Sequence, residues 1–302
     1  MSPADTRAHA ARAVAAVHKG HPGLDTSLAT AAEPLLFELA YGTCRRYYSL
    51  RSEVDSILKR PLRQRDQDLY ALMLVGAYQL RHTRIPDHAA VSETVAAAKS
   101  LHKPWARQLV NGVLRNLTRK GAARSISEAA AHDHPEWLIK KLSAAHPDEC
   151  PELFDINNSR APMGLSINLA KTSTSEYASL LVSQGISHRL GLAPSSIVLT
   201  HPLPVTKLPG LSDGWVSVQD EGAQLAAELL APPAGVSVLD ACAAPGGKAF
   251  NLLARDPSLK LTVLDRSEQR LGVVRREAMR LGHRVENLVL GDATKTNWWN
   301  GR

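Results

Sequence analysis

Cysteine is scarce in this chain of 302 residues: Cys44, Cys150 and Cys242 stand far apart. No Cys-x-x-Cys pair occurs and none of the three has His partners at metal spacing, so neither a zinc site nor a disulfide framework is expected. The twelve histidines form no grouping that suggests catalysis. Long hydrophobic runs are missing too. The longest near-apolar stretch, ALMLVGAY at 71–78, falls far below the roughly 18 residues of a membrane span. The first residues, MSPADTRAHA, lack a charged and then apolar leader. A soluble, cytoplasmic protein is the expectation. Internal repeats and low-complexity tracts are also absent, and the 44% hydrophobic content is ordinary for core-forming protein. The length allows two or three domains.

The net charge of +7 is unevenly spread. Residues 1–128 carry 19 Lys and Arg against 11 Asp and Glu, whereas 129–302 carry 17 against 18. Such a basic first part suits a nucleic-acid-binding appendage, because phosphate neutralisation supplies most non-specific affinity. A solvated basic surface that only aids solubility remains the alternative.

The first part reads as all helix. In DQDLYALMLVGAYQL, residues Leu69, Leu72, Met73, Gly76 and Leu80 recur at helical spacing and predict one apolar stripe. Ala106, Val110, Val113 and Leu117 predict another, with Gly121 as its stop. On that second helix Arg107, Arg115 and Arg119 fall within an arc of roughly 120°, a basic face that could meet RNA. From about 129 the texture becomes α+β. MGLSINLA, SSIVLTHP and DGWVSVQD read as strands, KTSTSEYASLLVSQG as a helix ended by Gly185, and Asp220 as the cap of EGAQLAAELLA. After Pro232-Pro233, strand and helix alternate in short units, as in a parallel sheet with crossover helices. The expected domains are 1–128, 129–232 and 233–302.

Within the last of these, VLDACAAPGGKAF at 238–250 is the stretch that demands a ligand. A Walker loop is excluded, since Cys242 stands where its first glycine belongs and Ala249 where its hydroxyl belongs. The dinucleotide fingerprint is excluded as well, because Gly246 and Gly247 are adjacent and no third glycine follows. Three predicted strands, 236–239, 260–264 and 287–290, each end beside a carboxylate: Asp240, Asp265 and Asp292. In an open α/β sheet all three line one crevice. Acids suit ribose hydroxyls, an adenine edge and a cationic sulfonium better than they suit phosphate. S-adenosylmethionine fits that description.

DACAAPGGKAF resembles the cofactor motif of the RNA cytosine-C5 methyltransferases of the Sun/Fmu (RsmB) type. TRIPDHAAVSETVAAAK, LVNGVLRN, RAPMGLSIN and GWVSVQDEGAQLAAELLAP resemble the helical and linking domains of the same enzymes, so the likeness runs along essentially the whole chain. It implies an all-α NusB-like RNA-binding domain, a small α+β linking domain and the first half of a Rossmann-like methyltransferase fold. It also implies that Cys242, Ala243, Ala244, Pro245, Gly246, Gly247 and Lys248 form the cofactor loop, that Asp265 meets the ribose and Asp292 the adenine. The implied substrate is a cytosine of 16S ribosomal RNA. Ala249 departs from the family's usual Thr, a lost helix cap expected to cost about 1 kcal/mol.

The chemistry implied by the resemblance needs a thiolate that adds to cytosine C6, making C5 nucleophilic enough to take a methyl group. The family carries that cysteine in an Asp-Ala-Pro-Cys motif and a second in a Thr-Cys motif on the next strand. Neither motif occurs in its place here, and no catalytic residue is assigned. Thr43-Cys44 lies in a helical segment and reads as core, Cys150 precedes proline in a polar loop and reads the same way, and Cys242 reads as a small buried loop residue. The chain is therefore expected to be a truncated or frameshifted product, or a fragment, whose first parallel strand forms an exposed apolar edge. Trp298 and Trp299 are expected to cover apolar surface. A non-catalytic RNA-binding protein with a vestigial cofactor-binding stub is the competing reading.

Overall fold

The structure, a computed structural model, describes residues 2–20, 23–24, 28, 33–120 and 127–299. The expected helix stop at Gly121 lies outside them. The chain forms two compact units, Met1–Arg160 and Ala161–Arg302.

The first unit is helical: α1 (Pro3–His18), α2 (Pro34–Arg45), α3 (Tyr47–Asp55), α4 (Gln67–His82), α5 (Asp87–Ser100), α6 (Arg107–Lys120), α7 (Glu128–His132), α8 (Glu136–Ala145) and α9 (Cys150–Asn158). Ser2 starts α1 with a capping box, its hydroxyl accepting from Asp5 N while Ser2 N donates to the Asp5 carboxylate. Helix α4 is buried without a break from Ala71 to Gln79, so it is the central helix of the bundle, where the sequence predicted a single stripe. Leu74, Val75, Ala77 and Tyr78 complete the apolar circumference between the stripe positions, which is the pattern of a helix enclosed on all sides. Gly76 lets α6 approach closely, since a Cβ there would lie 2.7 Å from Leu114 Cδ2. The predicted stripe of α6 is buried at Ala106, Val110, Val113 and Leu117. Two polar groups of α4 are satisfied where they enter the core: Gln79 Nε2 donates to Thr94 Oγ1 of α5 at 3.1 Å, and Arg81 pairs with Glu53 of α3 at 2.8 Å.

Residues 129–160, read from sequence as the beginning of the α+β part, are helical and group with this first unit. Asp133 explains the attachment of α7. Its carboxylate accepts from Ser49 N at 2.8 Å and pairs with Arg46 at 3.3 Å, both beside the start of α3. Cys150 opens α9, with Pro151 in the first turn where its missing N–H costs nothing.

The second unit holds two sheets. Strands β1 (Met163–Ile167), β2 (His188–Leu190), β3 (Ser196–Leu199) and β4 (Val216–Val218) form an antiparallel sheet in the order β2-β3-β1-β4. The short β2 was not predicted; three residues with exposed Arg189 and Leu190 carry no periodic signal. Helix α10 (Thr174–Ser183) begins with a capping box between Ser173 and Glu176 and ends just before Gly185, and Asp220 caps α11 (Glu221–Leu230) by accepting from Ala223 N at 3.1 Å. Strands β5 (Ser237–Asp240), β6 (Lys260–Asp265) and β7 (Asn287–Leu290) form a parallel sheet in the order β5-β6-β7, with α12 (Gly247–Arg255) and α13 (Glu268–Leu281) between them. Among the described residues no strand pairs with the outer side of β5, and Leu239 there is 37% exposed.

The two sheets are tied together. Arg280, near the end of α13, donates to the carbonyls of Leu211 (2.6 Å) and Val216 (3.0 Å) and to Ser217 Oγ (2.9 Å), and Glu277 balances its charge at 2.7 Å. Asn168 Nδ2, buried after β1, donates to the carbonyls of Gly214 and Leu281. Asn251 of α12 donates to Ser166 Oγ of β1 at 2.9 Å.

Candidate cofactor site

The parallel register sets the spacing of the three acids. Asp240 lies opposite Val263, so Asp265 stands two residues further along its strand; Asp265 lies opposite Leu290, so Asp292 stands two further again. Each step is roughly 6.6 Å at about 3.3 Å per residue, so the carboxylates form a staircase along the carboxyl rim of the sheet.

The loop from β5 to α12 folds over this rim. Ala243 N donates to Leu264 O at 3.1 Å, Ala244 N to Asp265 Oδ2 at 3.3 Å and Cys242 N to Asp240 Oδ1 at 3.2 Å. Gly246 turns the chain into α12 with φ of 110°, and a Cβ on it would lie 2.2 Å from the Phe250 ring. Glycine is required twice over, by conformation and by space. The Phe250 ring stacks in turn on His283 with centroids 5.9 Å apart. Burial holds the His283 imidazole well below its usual value, at about 4, and its Nε2 is buried without a hydrogen-bond partner.

The acids differ in their surroundings. Asp265 is 4% exposed and accepts from Ala244 N and Ser267 N (3.1 Å), while Arg270 Nη1 lies 3.3 Å from its Oδ2. Arg270 Nη2 also donates to Ala244 O at 2.5 Å, closing a bridge between loop and acid. Asp292 is exposed, and hydrogen bonds from Thr294 N (2.9 Å) and Thr294 Oγ1 (2.8 Å) hold its carboxyl below the usual range. Lys248 is exposed at the second position of α12. Trp298 packs beside Gly291 and donates from Nε1 to Asp292 O at 2.8 Å, while Trp299 stays 47% exposed.

Two sequence expectations are corrected here. Cys242 is exposed, not buried, because its N–H turns inward to Asp240 and nothing among the described residues covers the outer side of the edge strand. The departure at Ala249 costs no N-cap. Gly246 occupies the N-cap without a side-chain bond, and Ala249 is a fully buried member of the core under the sheet. Of the other cysteines, Cys150 is buried against Ile139 and Phe154 as read, whereas Cys44 is only partly buried, packed against the helical core with burial pushing its thiol up to about 11. Arg270, Phe250 and His283 carried no sequence signal, since each acquires its role by a contact across the fold.

On the first unit, Arg107, Arg115 and Arg119 are exposed along α6, opposite its buried stripe. The basic face exists as a surface, and none of the three has an ion pair among the described residues.

The donor set around the rim fits a cationic nucleoside. Buried acid, exposed acid and a glycine turn are present, while the backbone N–H groups of Cys242 and Ala244 are spent on carboxylates and not free to cradle phosphate.

Comparison with known proteins agrees with this architecture. The NusB family model matches residues 5–119, the RsmF/B-like ferredoxin-like domain matches 134–206, and the 16S rRNA methyltransferase RsmB/F model matches 227–302. The chain is 42% identical over 312 residues to ribosomal RNA small subunit methyltransferase B of Pseudomonas syringae pv. tomato, covering 98% of this chain and 69% of that protein. It is 40% identical to the protein of the same name from Vibrio cholerae, covering 88% of this chain and 63% of that one. The crystal structure of PH0851 shares the fold with a TM-score of 0.77 at 18% identity, covering 98% of this chain and 70% of the other. With a helical NusB-like part, a ferredoxin-like part and a methyltransferase part in this order, the chain belongs to the 16S rRNA methyltransferase RsmB/F family.

Proposed function

We propose that the chain serves methylation of cytosine C5 in 16S ribosomal RNA, with S-adenosylmethionine held at the carboxyl rim of the parallel sheet. The observation that carries this reading is the staircase of Asp240, Asp265 and Asp292 along the carboxyl rim, with the 242–248 loop bonded to the first two. S-adenosylmethionine supplies an electrophilic methyl group on a sulfonium. Asp265 accepts the ribose hydroxyls, for which the half-exposed Arg270 side chain must give way. Asp292 faces the adenine edge, and Cys242 to Lys248 wrap the remainder of the ligand. Arg107, Arg115 and Arg119 meet the RNA backbone, in the basic first part. No residue of this chain is assigned as the nucleophile that adds to C6: Cys44 and Cys150 are sequestered in apolar surroundings of the helical unit, and Cys242 belongs to the cofactor loop.

Calorimetric titration with S-adenosylmethionine tests the site. Asp265→Asn and Asp292→Asn should each weaken binding about tenfold or more, by removing a charge-assisted hydrogen bond. Binding equal to that of the unchanged chain in both variants ends the assignment.

The competing reading, RNA binding without catalysis, draws on the exposed basic face of α6. Methyl transfer from labelled S-adenosylmethionine to unmethylated 16S RNA supports the enzyme. Salt-sensitive RNA binding with no transfer supports the alternative.

A further inference from the structure

We infer that the helical unit carries a second RNA-contacting surface, a track along α3 that stacks the bases of single-stranded RNA on aromatic side chains while the 59–65 loop holds their phosphates. This rests on the reading that the chain acts on RNA. Three cavities of about 730, 480 and 270 Å³ adjoin one another along α3. The first two share Arg51 and Asp55, and the second and third share Tyr47, Gln67 and Tyr70. Each of the three has at least one aromatic ring in its lining, and in the proposed track they are read as one furrow.

Trp137 stands at one end, 62% exposed, and Tyr48 follows it. Tyr47 lies 5.2 Å from Tyr48, edge to face, and 3.8 Å from the His18 ring. Partly exposed rings in series along a furrow are what unpaired bases need, since every base has a π-face and stacking tolerates any sequence. Duplex RNA buries those faces and cannot use them.

The charge beside the furrow has the matching sign. KRPLRQR at 59–65 presents Lys59, Arg60, Arg63 and Arg65 to solvent, and Pro61 and Leu62 of the same loop line the middle cavity. Among the described residues Lys59, Arg60 and Arg63 have no carboxylate partner within ion-pair distance. The acid within the furrow, Asp55, is already engaged by Arg51 at 3.4 Å and by the Tyr70 hydroxyl at 2.7 Å. Asp66 and Asp68 are held by Lys103. Glu136 at the Trp137 end is left to repel phosphate, which places the backbone along the 59–65 side. The α6 face has cations but no comparable row of rings in a cavity; the furrow has both.

Fluorescence anisotropy of the full chain with a short labelled single-stranded RNA, and with a hairpin of the same composition, tests the inference. Trp137→Ala with Tyr48→Ala should weaken single-strand binding about tenfold or more and leave hairpin binding within about twofold. Replacing Lys59, Arg60 and Arg63 by Gln, on an exposed loop that cannot unfold the bundle, should reduce the salt slope of single-strand binding by about 2. If the unchanged chain binds RNA and both variant sets leave its single-strand affinity and salt slope unaltered, the furrow is excluded while the functional reading stands. Equal affinity for strand and hairpin, lost equally in the variants, reduces the surface to general charge and overturns the stacking claim. A chain that binds neither RNA overturns both readings.

Discussion

Arg270 Nη1 lies 3.3 Å from Asp265 Oδ2, at the spot where the ribose of the proposed cofactor is received. The guanidinium is half exposed and the carboxylate buried, so the pair is a partly screened interaction worth no more than about 1 kcal/mol. In the proposed site it competes directly with the ligand.

Arg270→Gln should therefore tighten S-adenosylmethionine binding by up to about fivefold, the equivalent of that 1 kcal/mol, and lower the melting temperature of the ligand-free chain. Paired titration and thermal melts check this. Weaker binding in the variant would show that Arg270 positions Asp265 and does not oppose the ligand.

Gly246→Ala places a methyl group 2.2 Å from the Phe250 ring at a backbone φ of 110°. Either the loop or the ring must move. A destabilisation of about 2–3 kcal/mol is expected from overpacking and left-handed strain combined, together with loss of cofactor binding. Gly246→Ala with Phe250→Leu should recover part of the stability, because the smaller side chain removes the clash but not the strain.

His283 links the site to pH. Its folded-state value is depressed to about 4 by burial, below an ordinary value of 6.5, so the folded chain binds fewer protons than the unfolded one between these limits. The neutral imidazole's contribution is whole above about pH 6.5 and is lost progressively as pH falls toward 4. The full swing is of order 2 kcal/mol, and Phe250 and the Gly246 turn should loosen with it. Denaturant melts across this range should show the decline, and His283→Gln should flatten it.

Arg280→Ala takes a donor from the carbonyl of Val216 and from that of Leu211, which keeps its bond from Gly214 N, and breaks the tie between the two sheets of the second unit. About 1–3 kcal/mol of stability should be lost, since a buried acceptor that loses its donor bears its desolvation cost. Hydrogen exchange should show the loss concentrated in residues 205–218 and in the end of α13.

Leu239→Lys puts a charge on the uncovered β5 edge. Light scattering of concentrated chain should fall while the melting temperature changes little, because edge charges block strand addition without touching the core.

Much of this was legible along the chain because the governing signals are local. The parallel strands lie within one residue of where their apolar runs and terminal acids put them, and Ser173, Asp220 and Gly185 act as the capping and stop residues that their chemistry suggests. Helix α4 was under-read because a stripe is the least a helix needs to bury, and only the neighbouring helices decide that it is enclosed on every side. The attachment of α7 to the first unit is not legible in the chain, because it depends on Asp133 reaching Ser49 and Arg46, more than eighty positions away.

By itself the sequence determined the element types, the order of the domains and the three acids at strand ends, since periodicity, turn chemistry and strand termination are properties of neighbours in the chain. Only the tertiary structure decided that Arg270 pairs with Asp265, that Phe250 and His283 prop the Gly246 turn, that Cys242 faces solvent, that Tyr48 and Trp137 line one cavity and that His18 and Tyr47 line another. Those relations join residues distant in sequence, and side-chain packing creates them where no local spacing could encode them.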